Sequence, residues 1–175
     1  MRDVFRAVLF PFIVCVIFWF MLRVKSKDKK IFAWIMIFAT AVELGFVLNL
    51  MAGDLRGVLS GVFEVPGVGG LGLHFMYSGF RGVFGVLTAF AWFATSLFSY
   101  EYMKNDANVI RYDIFNLLTL GATMGIFYAA DLFTLFFFFE IMSFTSFMWV
   151  AHRQTREALY AAGTYLGIAI AGGMA

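Results

Sequence analysis

Two acidic residues stand inside long apolar stretches, and they are the side chains best placed to do chemistry. Glu140 lies near the middle of Asp131–Ala151, where Asp131 is the only other charged residue. Glu43 lies near the centre of the apolar run that begins at Ile31. An ionised carboxylate at such a depth in a bilayer costs roughly 2.5–3.5 kcal/mol, so each glutamate needs a partner, water, a neutral form or a function. The chemistry that a carboxyl group offers there is the uptake and release of a proton.

Each acid also has a structural interpretation. Glu43 could be a neutral carboxyl that is hydrogen-bonded to a neighbouring helix, or a member of a proton relay, and no motif around it decides between the two. Helical spacing surrounds Glu140 with aromatic side chains and one hydroxyl, from Phe133, Phe136, Phe137, Ser143, Phe144 and Phe147. We therefore expect Glu140 to lie in an aromatic wall with a single hydroxyl nearby.

The composition predicts an all-α, polytopic membrane protein. Of the 175 residues, 62% are hydrophobic and 14% are charged, which is too apolar for a soluble domain. Continuous rather than alternating apolar runs disfavour a β-barrel. We predict one transmembrane domain over residues 1–175, with an extramembrane loop over about 53–78 and a fifth helix over 131–151. The six expected helices are 4–23, 31–52, 79–103, 113–130, 131–151 and 158–175.

The distribution of lysine and arginine predicts the orientation in the cell membrane. With six helices, nine of the 13 basic residues fall on one side, in the loops 23–30, 104–111 and 152–157. Because cytoplasmic loops carry an excess of positive charge, these loops are expected in the cytoplasm and both termini outside. A formal net charge of +2 gives no reason to expect nucleic acid as a partner, which leaves the lipid bilayer and other proteins.

The long loop predicts a small β structure on the outer surface. Leu71, Leu73, Phe75 and Tyr77 alternate with Gly72, His74 and Met76, a pattern typical of a strand or hairpin. Before it, Val58, Leu59, Val62 and Phe63 are expected to form a short amphipathic turn at the membrane interface.

No pattern predicts a catalytic centre, a metal site or a cofactor site in this chain. His74 lacks the companions that a metal site needs. Cys15 is the only cysteine, so it cannot form an internal disulfide, and we expect it to be a small buried apolar residue.

Three features predict how the helices begin and pack. Asp131 is well placed to cap the fifth helix. Gly121 and Gly125 allow another helix of the bundle to approach the fourth helix closely. Small residues also form a ridge on the sixth helix, at Gly163, Gly167, Ala171 and Ala175, which we expect to pack tightly. Since the sequence stops with this apolar helix, we expect it to be part of a longer or split protein.

Three pieces of the span from about Leu71 to Gly173 resemble the antiporter-like subunits of complex I, of membrane-bound hydrogenases and of multisubunit sodium/proton antiporters. They are Gly72–Gly79, Ser99–Met103 and Asp131–Ser143. The third piece is the most specific, because an acid in this place on the fifth helix is a hallmark of that family. Residues 1–70 match only in their helix pattern.

The resemblance implies a proton- or sodium-translocating subunit of a larger, redox-driven membrane complex of the respiratory or hydrogenase type. In such subunits the acid at the place of Glu140 pairs with a lysine on a seventh helix. Glu43 lies outside the three matching pieces and would, in the same function, be a further relay member. Iron–sulfur clusters, a flavin or a nickel–iron centre would lie in partner subunits, since this chain lacks the cysteines for clusters. The chain would be at most a non-redox membrane subunit of an ion-translocating oxidoreductase.

The sequence departs from the family in ways that leave alternatives open. No lysine follows Lys104, Ser78 stands where many relatives have an aspartate, and Thr164-Tyr165 stands where many have a lysine before an aromatic residue. Another chain would have to supply the C-terminal antiporter helices with the partner lysine. Otherwise the chain is a structural membrane subunit that transports nothing, or an unrelated small transporter that acts as an oligomer, with Glu43 and Glu140 as its coupling acids.

Overall fold

A computed structural model describes residues 2–23, 29–55, 61–106 and 108–174, and it confirms the predicted all-α membrane fold of six helices. The elements in chain order are α1 (Arg2–Arg23), α2 (Lys29–Leu55), β1 (Val62–Val65), β2 (Leu73–Met76), α3 (Gly79–Tyr102), α4 (Val109–Tyr128), α5 (Leu132–Val150) and α6 (Arg156–Met174). Within the described residues, four helices are long and apolar enough to cross a bilayer, namely α1, α2, α3 and α5.

Helix α4 begins at Val109, four residues before the predicted start at Asp113. The predicted start lay too far along the chain because the apolar run begins only after Arg111 and Asp113. A helical backbone does not require apolar side chains, so the helix can begin earlier. Arg111 donates a hydrogen bond of 2.8 Å to the carbonyl of His152, which holds this first turn in place. The backbone of α1, in contrast, continues as one helix through Pro11.

The predicted hairpin is confirmed. The prediction of an amphipathic turn before it is wrong for the two of its residues that the structure describes. Val62 and Phe63 lie in β1, which pairs antiparallel with β2 in the register Phe63 to Phe75. Residues 58 and 59 lie outside the described part of the chain. The ring of Phe63 packs on Phe5 of α1, with centroids 5.3 Å apart, so its apolar surface is covered by protein. Strand pairing and this contact together explain why the segment is extended.

The core lies around α4, which packs against α1, α3 and α5. The predicted close approach at its two glycines is confirmed. A Cβ atom built on Gly121 would come within 2.6 Å of the Phe12 ring of α1, and one built on Gly125 would overlap the Phe138 ring of α5. Cys15 is buried, as predicted, at 6% exposure.

The loops gather at two opposite ends of the bundle. The hairpin, Ala129–Asp131 and the start of α1 form one end, which we call the hairpin end. The starts of α2 and α4 and the turns 103–106 and 151–155 form the other, which we call the basic end. There Lys29 Nζ donates to the carbonyl of Asp106 at 2.8 Å, and His152 Nε2 lies 3.2 Å from Asp106 Oδ2. Which end faces the cytoplasm stays a prediction.

The packing around two glycines predicts that glycine-to-alanine substitution lowers stability at Gly125 in α4 but not at Gly45 in α2. Gly125→Ala forces the Phe138 ring to move, and such overpacking costs about 1–3 kcal/mol. Gly45→Ala places its methyl group where nothing lies within 4 Å, and it gains up to about 1 kcal/mol of helix propensity. We expect the thermal midpoint in detergent to fall for Gly125→Ala and to stay or rise for Gly45→Ala. Equal midpoints for the two variants would contradict the packing described here.

Candidate functional site

Glu43 lies on the face of α2 that points into the bundle and is fully buried, with 0% exposure. Thr40 and Val47, one turn away on either side, are buried to the same degree. Neither carboxyl oxygen of Glu43 has a hydrogen-bond partner among the described residues. One interpretation of Glu43 was a carboxyl group hydrogen-bonded to an adjacent helix. Among the described groups, Glu43 forms no such hydrogen bond. A buried carboxyl of this kind points to bridging water or to a bound proton.

Glu140 lies on α5 and is only partly buried. Its Oε1 atom is enclosed and has no hydrogen-bond partner among the described residues. It faces the end of α6, where a Cβ atom built on Gly173 would lie 2.8 Å from Oε1. The predicted hydroxyl neighbour is not a partner, because Ser143 donates to the carbonyl of Phe139 at 2.9 Å. A serine within a helix commonly bonds the carbonyl four residues earlier in this way.

The two predicted acids do not share one site. Glu43 is enclosed where α2 meets α3 and α4, whereas Glu140 lies where α5 meets α6. The small-residue ridge of α6 does not make the tight contact that we predicted from its spacing. Cβ atoms built on Gly163 and Gly167 would meet nothing within 4 Å in the described part of the chain. Among the described elements, α6 makes its main contact with α5, and this contact leaves the ridge open.

Four buried residues of α4 with polar side-chain atoms were not predicted from the sequence: Asp113, Asn116, Thr119 and Tyr128. Asp113, Asn116 and Tyr128 are 3%, 1% and 0% exposed. Both polar side-chain atoms of Asn116 and the hydroxyl of Tyr128 have no hydrogen-bond partner among the described groups. The spacing of Asp113 and Asn116 on one helical face was a usable signal. Tyr128 gave none, because tyrosine near the end of a membrane helix is ordinary.

The structure also gives His74 a partner that the sequence did not show. Its Nδ1 atom lies 2.7 Å from Oδ2 of Asp131, and its backbone N–H donates to the Thr134 hydroxyl at 2.9 Å. These contacts join β2 to the start of α5. Among the residues described, no three His, Cys, Asp or Glu side chains come together as a metal site would require.

Asp131 caps α5, as predicted, and the cap explains its electrostatics. One carboxyl oxygen accepts a hydrogen bond of 2.7 Å from the backbone N–H of Thr134. Partial burial by itself would raise the pKa of Asp131. The bonds from the N–H and hydroxyl of Thr134 and from His74 outweigh it and hold the pKa below its ordinary value of 3.8.

Comparison with known proteins shows the fold and leaves the family open. No protein-family model and no curated protein matches the sequence. The structure superimposes on one chain of the membrane-bound sulfane sulfur reductase, an archaeal respiratory membrane complex, with a TM-score of 0.81 and 18% identity. The match covers 99% of this chain and 35% of that one, so this chain spans about a third of its length. At this identity the likeness establishes a shared fold, and the antiporter-like family stays a prediction.

The Asp131 cap predicts a specific loss of stability. Asp131→Ala removes the cap and the contact with His74, and the loss of an N-cap costs about 0.5–2 kcal/mol at neutral pH. Asp131→Asn keeps a capping oxygen and removes only the charge, so it should lie between Asp131→Ala and the unaltered protein. Thermal midpoints of the three proteins in detergent measure this order.

The same cap predicts a pH dependence with a defined sign. Because the folded-state pKa of Asp131 lies below its ordinary value of 3.8, the ionised group stabilises the fold above pH 3.8. That contribution is lost as the pH falls through the lowered folded-state pKa. The stability difference between the unaltered protein and Asp131→Asn should therefore shrink in acid. A difference that stays constant from neutral pH into acid would show that the charge contributes nothing.

Proposed function

We propose that this chain is a membrane subunit of a respiratory-type complex and takes part in proton or sodium translocation, with Glu140 as an ion-coupled acid. The proposal is carried by the side chain of Glu140, which belongs to an apolar helix. Its Oε1 atom is buried and has no hydrogen-bond partner among the described groups. The fold shared with a chain of an archaeal respiratory membrane complex supports the setting. Glu43 is a second acid that such a function would use.

The position of Glu140 suits an acid whose partner comes from another segment. Its carboxyl group lies at the edge of the described bundle, covered on one side by the α6 backbone at Gly173. A lysine brought there would hold the carboxylate ionised, because opposite charges attract strongly in a low-dielectric environment. Withdrawal of that lysine would favour proton uptake by the carboxylate. Repeated approach and withdrawal would then couple a charge movement to proton transfer.

A chain with this function needs two kinds of partner. One is a membrane segment that would supply the lysine-bearing helices, the first of which would be a seventh helix in the antiporter-like subunits that the sequence resembles. Others are peripheral redox subunits that would hold iron–sulfur, flavin or nickel–iron centres. The open ridge of α6, with Gly163 and Gly167 uncovered in the described structure, offers a surface on which a further helix can pack closely.

Neutralising the acid tests the proposal. Glu140→Gln keeps the shape of the side chain and removes its ability to bind and release a proton. We expect the purified complex to keep its subunits and to lose most of its ion pumping in proteoliposomes, by about tenfold or more, since proton transfer by a positioned side chain contributes factors of about 10²–10⁴.

A matched control separates loss of function from loss of a charge in general. Glu157→Gln makes the same change on an exposed side chain in the first turn of α6, outside the candidate site. It should leave pumping unchanged. Full pumping by Glu140→Gln would reject ion coupling by this residue and favour a structural subunit that transports nothing. Loss of subunits from Glu140→Gln would assign the acid to assembly instead.

A further inference from the structure

Glu43 lies between polar features that reach toward both ends of the bundle, and the role proposed for Glu140 uses none of them. The face of α2 that carries Glu43 also carries Thr40 on the side of the basic end. Toward the hairpin end it continues through Val47 to Asp54. Thr40, Glu43, Val47 and Asp54 follow one another at separations of three, four and seven residues. They therefore form one line along the helix. This line runs along the contact of α2 with α3.

A cavity approaches Glu43 from the basic end. It has a volume of about 350 Å³ and lies between α2, α3 and α4. Polar and charged side chains in its lining are Lys29, Lys30, Ser96, Ser99, Tyr100, Glu101, Lys104 and Asp113. Ser96 Oγ lies 2.9 Å from Oγ1 of Thr40. Thr40 precedes Glu43 by three residues, or about 4.5 Å along the helix axis, so the cavity wall is about one turn from the carboxyl group.

Asn116 of α4 adds a polar group near the same level. Its backbone carbonyl accepts a hydrogen bond of 3.1 Å from the indole of Trp92, which precedes Ser96 by one turn of α3. Its side-chain amide has no partner among the described groups. Thr40, Ser96 and Asn116 therefore bring hydroxyl and amide groups of three helices to about the level of Glu43 and the turn before it.

Two tyrosines continue the polar groups toward the hairpin end. A Cβ atom built on Gly85 would collide with the Tyr128 hydroxyl and lie 3.2 Å from Cγ1 of Val47. The Tyr128 hydroxyl therefore lies about one helical turn beyond Glu43, on the side of the hairpin end. At this position a charge on the Glu43 carboxyl group acts on the tyrosine. The ring of Tyr77 stacks on that of Tyr128, with centroids 5.9 Å apart.

The end of this line is a carboxylate near the surface. The hydroxyl of Tyr77 lies against Gly82, where a Cβ atom would overlap it. Gly82 and Gly85 of α3 thus leave the space that the two tyrosine hydroxyls occupy. Asp54, partly exposed at the end of α2, lies within electrostatic range of Tyr77. Its Oδ2 atom is 3.4 Å from a Cβ atom built on Gly79 at the start of α3.

Six buried polar atoms of these side chains have no hydrogen-bond partner among the described residues: two each on Glu43 and Asn116, and the hydroxyls of Tyr77 and Tyr128. Folded proteins rarely leave so many buried polar atoms unpaired in one place. Buried water molecules that bridge such groups are the usual solution, and each needs two to four polar neighbours. The six atoms provide those neighbours.

We propose that α2, α3 and α4 enclose a hydrated proton path that runs from the basic-end cavity through Glu43 to Tyr128, Tyr77 and Asp54. A proton from water near Ser96 and Thr40 forms the O–H bond of the Glu43 carboxyl, and it leaves when that bond breaks in favour of a bridging water. Each tyrosine hydroxyl accepts one proton and donates its own, so its charge is unchanged after transfer. The proposal deepens the function proposed above and rests on it.

Removal of single hydroxyl groups tests the path. Tyr128→Phe and Tyr77→Phe keep the stacked rings and remove only the proposed relay atoms. In proteoliposomes with the intact complex, we expect each to lower proton pumping by about tenfold, equivalent to about 1.4 kcal/mol in the barrier. Tyr112→Phe is the matched control: it is also on α4 but stacks on Trp149 away from the path, and it should pump normally.

The outcome separates the path from the proposed function. If Glu140→Gln lowers pumping while Glu43→Gln and both tyrosine variants pump normally, the path is wrong and the proposed function stands. If none of the four variants changes pumping, the proposed function fails as well. Loss of pumping in the Glu43 and tyrosine variants, with Tyr112→Phe unaffected, supports the path.

A measurement that needs no activity tests the hydration of Glu43. The infrared difference between the unaltered complex and Glu43→Gln isolates the signal of this carboxyl group. A protonated band that shifts within minutes of transfer to D₂O, or a carboxylate band in its place, means that water reaches Glu43. A protonated band that stays unshifted for hours would overturn the proposal, whatever the tyrosine variants do to pumping.

Discussion

The packing of α4 among its neighbours is the interaction on which the rest of the structure depends. α4 carries more buried polar groups than a helix facing lipid could tolerate, and the hydrocarbon core of a bilayer offers them no partners. Gly121 and Gly125 let the rings of Phe12 and Phe138 close over its surface. Because α1 and α5 are held there, Asn116 and Tyr128 are enclosed by protein. Without this enclosure, neither the cavity at the basic end nor the setting of Glu43 could exist.

Each end of the bundle is fixed by a histidine–aspartate contact. At the hairpin end, His74 joins β2 to Asp131 and the start of α5. At the basic end, His152 joins the turn after α5 to Asp106, whose pKa is held below its ordinary value first by the backbone N–H of Asn108 and then by His152. These contacts bridge segments far apart in sequence. They fix the height of α5 relative to α4, and so the level at which Glu140 lies.

The two membrane acids differ in what surrounds them, and this difference suggests different tasks. Glu43 is enclosed by elements of this chain, and neither of its carboxyl oxygens has a hydrogen-bond partner among the described residues. Glu140 lies at the edge, where α6 covers it on one side and its ridge is open. An enclosed acid suits passage of protons within the chain. An acid at an edge suits coupling to a charge that arrives from a neighbouring segment.

The sequence by itself determined the number and kind of elements, since long apolar runs can be satisfied in a bilayer only as helices. It also determined the alternating strand near His74, the Asp131 cap and the unusual depth of Glu43 and Glu140, because each depends on local spacing or composition. The tertiary structure alone decided what each polar group faces. Tyr128 became a candidate only because the fold places α2 and α3 beside it. Ser143 lost its expected role because its own helix supplied an acceptor. Contacts between distant segments depend on how helices rotate and tilt against each other, and periodicity within one helix does not specify that geometry.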